Sequence, residues 1–138
     1  MNTTPAPPVD DADRILLVDD DPTNLDVLRH TLDGRGYRLF VTRSGESAIE
    51  VARRVQPLLI MLDVVMPGID GYETCRRIRQ RVGKDVYVIA MTGWGQERDK
   101  QEARRAGFDE HLTKPVDPAA LKDVLAHAGV VTAARHAG

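Results

Sequence analysis

The sequence predicts an α/β domain built on a five-stranded parallel sheet with helices on both faces. Two observations predict it. From Arg14 onward short apolar runs recur five times, and each is followed by a stretch of helical periodicity. Three of those runs are apolar at nearly every position, the composition of strands covered on both faces. Regular β–α alternation of this kind gives a parallel sheet between two helical layers.

The first run, ILLV at 15–18, opens directly into three carboxylates and a proline, Asp19 to Pro22. Asp21 is placed to cap a helix beginning at Pro22, where a missing N–H costs nothing, and Leu25, Leu28 and Leu32 form that helix's apolar stripe. The second run, YRLFVT at 37–42, is interrupted by Arg38, and the fifth, FDEHL at 108–112, is half polar. The third and fourth, LLIML at 58–62 and VYVIAM at 86–91, are almost wholly apolar. The first, third and fourth strands are therefore central and the other two are edges, which is what the order 2-1-3-4-5 requires. The fourth helix, expected over about 95–106, offers only Ala103 and Ala106 to a core and should be weakly anchored; Gly107 suits its left-handed stop. The last helix starts at Asp117-Pro118, carries Leu121, Val124, Leu125 and Ala128 on one face, and is expected to end near 128.

This organisation gives a proline-rich, acidic tail over 1–13, one domain over 14–128 and a short C-terminal tail over 129–138, with no room for an output domain. A net charge of -2 with mixed signs provides no broad basic field, which argues against nucleic acid or an anionic membrane as partner. No apolar run approaches the roughly 18 residues of a membrane span, and the N-terminus lacks the pattern of a secretory signal, so a cytoplasmic location is expected. The single Cys75 has no internal disulfide partner and reads as a small core residue on a helix.

In a parallel sheet the residues just past each strand gather along one rim, where such folds bind ligands. Here they are Asp19 and Asp20 after the first strand, Asp63 after the third, Thr92 after the fourth and Lys114 after the fifth. Crowded carboxylates repel, and either a proton or a cation must relieve them. Three acids and one lysine leave two net negative charges, which one divalent ion cancels. All-oxygen ligands with few protein groups favour magnesium, which is usually held with a phosphate oxygen. Taken alone, Asp19 to Asp21 would read as a capped, solvated turn; the coincidence of Asp63, Thr92 and Lys114 on the same rim reverses that balance.

The motifs LLVDDD, MLDVVMPGIDGYE, AMTGW and LTKPV, in that order over about 14–127, resemble the receiver domain of two-component response regulators. The resemblance implies a flavodoxin-like (βα)5 fold with the same 2-1-3-4-5 order, so that order is not independent of it. It implies that Asp63 accepts a phosphoryl group and that Mg2+ is ligated by Asp63, by Asp20 directly, by Asp19 through water and by the backbone carbonyl of Val65. Thr92 would then hydrogen-bond the phosphoryl group and Lys114 would pair with it. The implied donor is a sensor histidine kinase or a histidine phosphotransfer protein, and the segment TGWGQERDKQEARRAGFDEHLTKPVDPAAL looks most like receivers attached to, or working beside, hybrid sensor kinases. A monomer or weak dimer is expected. The family commonly has a cis bond at the position of Lys114-Pro115, so a cis bond is expected here.

A rival α/β enzyme class, the aspartate-nucleophile phosphatases, usually carries a second acid two residues after the nucleophile; this chain has Val65 there, which argues against a turnover enzyme. Val65 and Trp94 occupy positions that influence water access in the family, and their bulk implies slow self-dephosphorylation; for Trp94 an exposed residue that docks on a partner is an equally good reading. His111 stands where the family usually has a switching Tyr or Phe; an exposed histidine on an edge strand is an equally good reading. The helix over 95–106 and the strand over 108–112 are expected to form a bistable output face. Arg76, Arg77, Arg79 and Arg81 read as a solvated helical face, with Glu73 four residues before Arg77. Gly68 and Gly71 read as turn residues, and His30, His127 and His136 as surface groups.

Overall fold

A computed structural model describes residues 14–93 and 100–137. Its elements alternate as β1 (Arg14–Val18), α1 (Pro22–Leu32), β2 (Arg38–Thr42), α2 (Gly45–Val55), β3 (Leu59–Asp63), α3 (Gly71–Val82), β4 (Tyr87–Thr92), α4 (Lys100–Ala106), β5 (Glu110–Thr113) and α5 (Pro118–Ala137). All pairings are parallel and the sheet order is β2-β1-β3-β4-β5. This is the flavodoxin-like arrangement that the motif resemblance implies, with the central and edge strands where composition puts them.

The period of two along a strand explains why the central strands are apolar throughout. Ile15 and Leu17 of β1, Leu59 and Met61 of β3, and Tyr87, Ile89 and Met91 of β4 face one core, which α1 and α5 close with Leu25, Leu28 and Leu121. Their alternates Leu16, Val18, Ile60, Leu62, Val88 and Ala90 face the other core, which α2 and α3 close with Ala48, Ala52, Cys75 and Ile78. β3 and β4 are buried at every position, whereas β2 and β5 are only partly so. Cys75 lies inside, where burial pushes its thiol up to about 12, the state of an inert core residue.

Each helix starts where its chemistry directs. Asp21 caps α1 and accepts from the Thr23 N–H, Ser44 caps α2 and accepts from Ser47, and Asp70 caps α3 and accepts from Glu73. α3 begins on a close approach: a Cβ on Gly71 would lie 2.5 Å from the Val64 Cα, so only glycine lets this helix start directly against the residue after β3. α4 ends at Gly107, φ +108°, where the N–H groups of Gly107 and Phe108 both reach the Ala103 carbonyl. Among its described side chains Ala106 is buried and Ala103 packs at the edge of the core, and Phe108 stands edge-on to Tyr72 at 5.8 Å. The Lys114-Pro115 bond is cis, as the motif predicts.

Two expectations need correction or delimitation. The residues expected as a C-terminal tail from 129 continue α5 to Ala137. Gly129 is the weakest helix former described there and costs about 1 kcal/mol. Val131 packs on the core, and buried Thr132 turns its hydroxyl back to the Ala128 carbonyl at 2.8 Å. Residues 1–13, Trp94 and the first part of the expected fourth helix, 95–99, lie outside the described residues. Among the described residues no helix is long and apolar enough to cross a membrane.

Candidate functional site at the C-terminal rim

Parallel pairing places the ends of β1, β3, β4 and β5 side by side, and the five side chains singled out from the sequence meet there. Asp63 is the last residue of β3, in register with Met91, and Thr92 is the last of β4, in register with Thr113. One carboxylate oxygen from each of Asp19, Asp20 and Asp63 lies within 4.8 Å of the other two. Lys114 reaches across from the end of β5, its Nζ 3.2 Å from Asp63 Oδ2 and 3.3 Å from Asp19 Oδ2. Residues from three chain segments thus form one cluster of three acids and a base.

The two inner acids are held differently from the outer one. Asp19, fully buried, accepts from the Asp21 N–H at 2.9 Å and from the Asn24 side-chain amide at 2.6 Å. Asp63, 4% exposed, accepts from the Val65 N–H at 3.0 Å. Asp20 is exposed. That division suits a site with two fixed walls and one arm open to solvent.

Charge and burial oppose each other here. Burial drives the Asp63 carboxyl up to about 6; the Val65 N–H resists this, the nearby Asp19 charge adds to it, and Lys114 pulls it back. Burial works against the Lys114 ammonium, but Asp63 and Asp19 together outweigh it and hold its pKa above the ordinary lysine value. Thr92 is 4% exposed, and its Oγ1 has no hydrogen-bond partner among the described residues. A buried hydroxyl is rarely left so.

The donor set also fits a small hard cation: three carboxylates, all oxygen, with excess negative charge and one ligand facing water. Val65 exposes 53% of its surface beside Asp63. The expected aromatic-switch position, His111, lies partly exposed in β5, opposite Ala90 of β4.

Sequence reasoning overlooked Asn24. It is buried on α1 and binds Asp19. A signal existed: residues 24, 28 and 32 fall on one helical face, and Asn24 is a polar group in line with Leu28 and Leu32.

Comparison with known proteins agrees with this geometry. The family model of the response regulator receiver domain matches residues 15–126. Protein PilH of Pseudomonas aeruginosa is 35% identical over 109 residues, covering 78% of this chain and 90% of that protein. The DNA-binding dual master transcriptional regulator RpaA of Synechocystis is 38% identical over 105 residues, which is 75% of this chain but only 44% of that regulator. Among solved structures, the receiver domain of the sensor histidine kinase PA1611 of Pseudomonas aeruginosa, with a magnesium ion coordinated in its active-site cleft, superposes with a TM-score of 0.76 at 33% identity. That match covers 86% of this chain and 98% of that one.

Proposed function

This chain belongs to the response regulator receiver domain family of two-component signalling, and we propose that Asp63 is its phosphoacceptor, loaded from a phosphohistidine on a sensor kinase or a phosphotransfer protein. The observation that carries the reading is the convergence of Asp63 with Lys114 at 3.2 Å and with the Asp19 and Asp20 carboxylates, beside a Thr92 hydroxyl that lacks a partner among the described residues.

An Asp63 carboxylate oxygen attacks phosphorus in line with the leaving imidazole. The P–N bond breaks as the P–O bond forms, and the bonding pair returns to the imidazole nitrogen. Asp63 must be ionised to attack, and Lys114 favours that form. Asp20, Asp63, the carbonyl of Val65 and, through water, Asp19 would hold Mg2+, which would supply neutralisation of the charge on the phosphoryl oxygens. Lys114 moves from sharing two carboxylates to pairing with a phosphoryl oxygen. Thr92 donates its hydroxyl to another.

Drawing Thr92 inward pulls on the end of β4 and so on the chain leading to α4. Among α4's described side chains the apolar ones that pack on the core are the small Ala103 and Ala106, so it is the element that yields. α4 and β5 are therefore the face whose shape reports the phosphorylated state. The absence of an acid at Val65 fits an acceptor that holds its phosphoryl group rather than a phosphatase that turns over, and the branched side chain there hinders water.

Intact-mass measurement after incubation with acetyl phosphate tests the assignment. One added phosphoryl group is expected with magnesium, slowed at least about tenfold by EDTA and absent in Asp63→Asn. Full labelling of Asp63→Asn moves the acceptor elsewhere.

A further inference from the structure

We propose that Asn24 is a positioning residue of the rim: its side-chain amide locks the Asp19 carboxylate in the orientation the divalent cation requires. The inference rests on the acceptor reading of the same site and adds a residue that reading does not contain.

Three observations carry it. Asn24 is 4% exposed on the face of α1 that otherwise buries Leu25, Leu28 and Leu32, where an apolar side chain would pack without penalty. Its Nδ2 makes a short contact, 2.6 Å, to Asp19 Oδ2, and a second, 3.5 Å, to the Met91 sulfur. Its Oδ1 has no hydrogen-bond partner among the described residues. Flipping the amide would not remove the mismatch, because it would turn a carbonyl oxygen toward a carboxylate oxygen; the orientation is dictated by Asp19. The residue thus leaves one buried acceptor unmatched and gains a charge-assisted bond to one acid of the rim.

The two donor contacts also fix the plane of the amide. One N–H is spent on Asp19 at the end of β1 and the other on Met91, the residue before Thr92 in β4. Asp19 then carries the Asp21 N–H on Oδ1 and Asn24 on Oδ2, with Lys114 between them, and has no freedom to rotate. Partners that orient a ligand in this way usually change metal affinity by about 10-fold or more when removed.

The test is a magnesium chloride titration followed by amide NMR shifts, with urea unfolding in EDTA alongside. Asn24→Leu keeps the branched skeleton and removes the donor, and it is expected to weaken magnesium binding about 10-fold. Leu28→Ala, one turn along the same helix face and remote from Asp19, is expected to lower the urea midpoint yet leave magnesium affinity within about twofold. Should Asn24→Leu not fold, Asn24→Ala is read in the same way. An unchanged affinity in the Asn24 variant overturns the proposal, and so does an equal weakening in Leu28→Ala, which would make the effect one of general stability. If the wild-type chain itself shows no magnesium-dependent shifts, the acceptor reading fails first and this inference falls with it.

Discussion

The two ends of the sheet carry the same kinds of side chain in opposite proportion. At the C-terminal rim three carboxylates cluster beside one ammonium, which pairs with two of them; at the base, where β4 and β5 begin, one carboxylate is shared by two guanidiniums. Asp109 receives Arg79 at 2.8 Å, Arg135 at 2.7 Å and the Val88 N–H at 2.9 Å. Arg79 spends its remaining donors on the carbonyls of Val86 and Gly107. Burial alone would raise the Asp109 carboxyl, but the Arg135 bond, the Val88 N–H and the Arg79 charge together hold it below the usual range. Asp63 is pushed the other way, to about 6. The base is a satisfied network that ties α3, β4, β5 and α5 together; the rim is under a strain that only something added can release.

If that contrast is right, the two poles separate stability from phosphoryl acceptance. Asp63→Asn should lower the rate of labelling by acetyl phosphate at least about 100-fold, while its urea midpoint in EDTA stays level or rises because a repelling charge has gone. Asp109→Ala should do the reverse. It leaves two part-buried arginines without their shared partner, which should cost about 3 kcal/mol of unfolding free energy, and labelling should stay within about twofold. A single variant that damaged both properties would show the poles to be one coupled unit.

Acid titration sharpens the contrast, since the two acids give slopes of opposite sign. The Asp63 pKa is raised from 3.8 to about 6 on folding, so between about pH 4 and pH 6 the folded state binds more protons than the unfolded one. Metal-free stability should therefore fall as pH rises through that window. The loss is on the order of 3 kcal/mol, because one extra bound proton changes the folding free energy by about 1.4 kcal/mol per pH interval of one and the window spans about two such intervals. Asp109, whose pKa is lowered, stabilises the fold above the unfolded value, and that contribution is lost as pH drops through its folded pKa. Urea midpoints from pH 3 to 8 in EDTA should show a maximum near pH 4 to 5. Asp63→Asn should remove the decline on the alkaline side; an unchanged decline would assign it to other groups.

The rim was legible in the sequence and the base was not, for a physical reason. A parallel sheet sends the residue after every strand to one edge, so finding the strands is enough to bring Asp19, Asp63, Thr92 and Lys114 together. Nothing comparable collects Arg79, Asp109 and Arg135. Asp109 is 30 residues from Arg79 and 26 from Arg135, on elements whose mutual packing no period encodes. Arg79 sits among arginines that read as a solvated face; Arg76 and Arg77 do pair with Glu73 in that way, while Arg79 turns inward to Asp109 and Gly107. The caps at Ser44 and Asp70 were readable, Asp70 and Glu73 having capping-box spacing, but they matter less to function.

The length of α5 is the remaining consequence of the base network. A glycine at 129 and small residues beyond it read as a fraying end, yet Arg135 lies 5.6 Å from the Tyr87 ring centroid and clamps Asp109. The last two turns are thus held by contacts rather than by propensity, and Arg135 is only one of two arginines that Asp109 binds. Arg135→Ala should accordingly cost less than losing the carboxylate, about 1 kcal/mol, because Arg79 and the Val88 N–H still satisfy Asp109. Hydrogen exchange should quicken over 131–137 and stay slow at Val88. Protection lost at Val88 as well would mean that the helix end, and not Arg79, is what holds the start of β4 against β5.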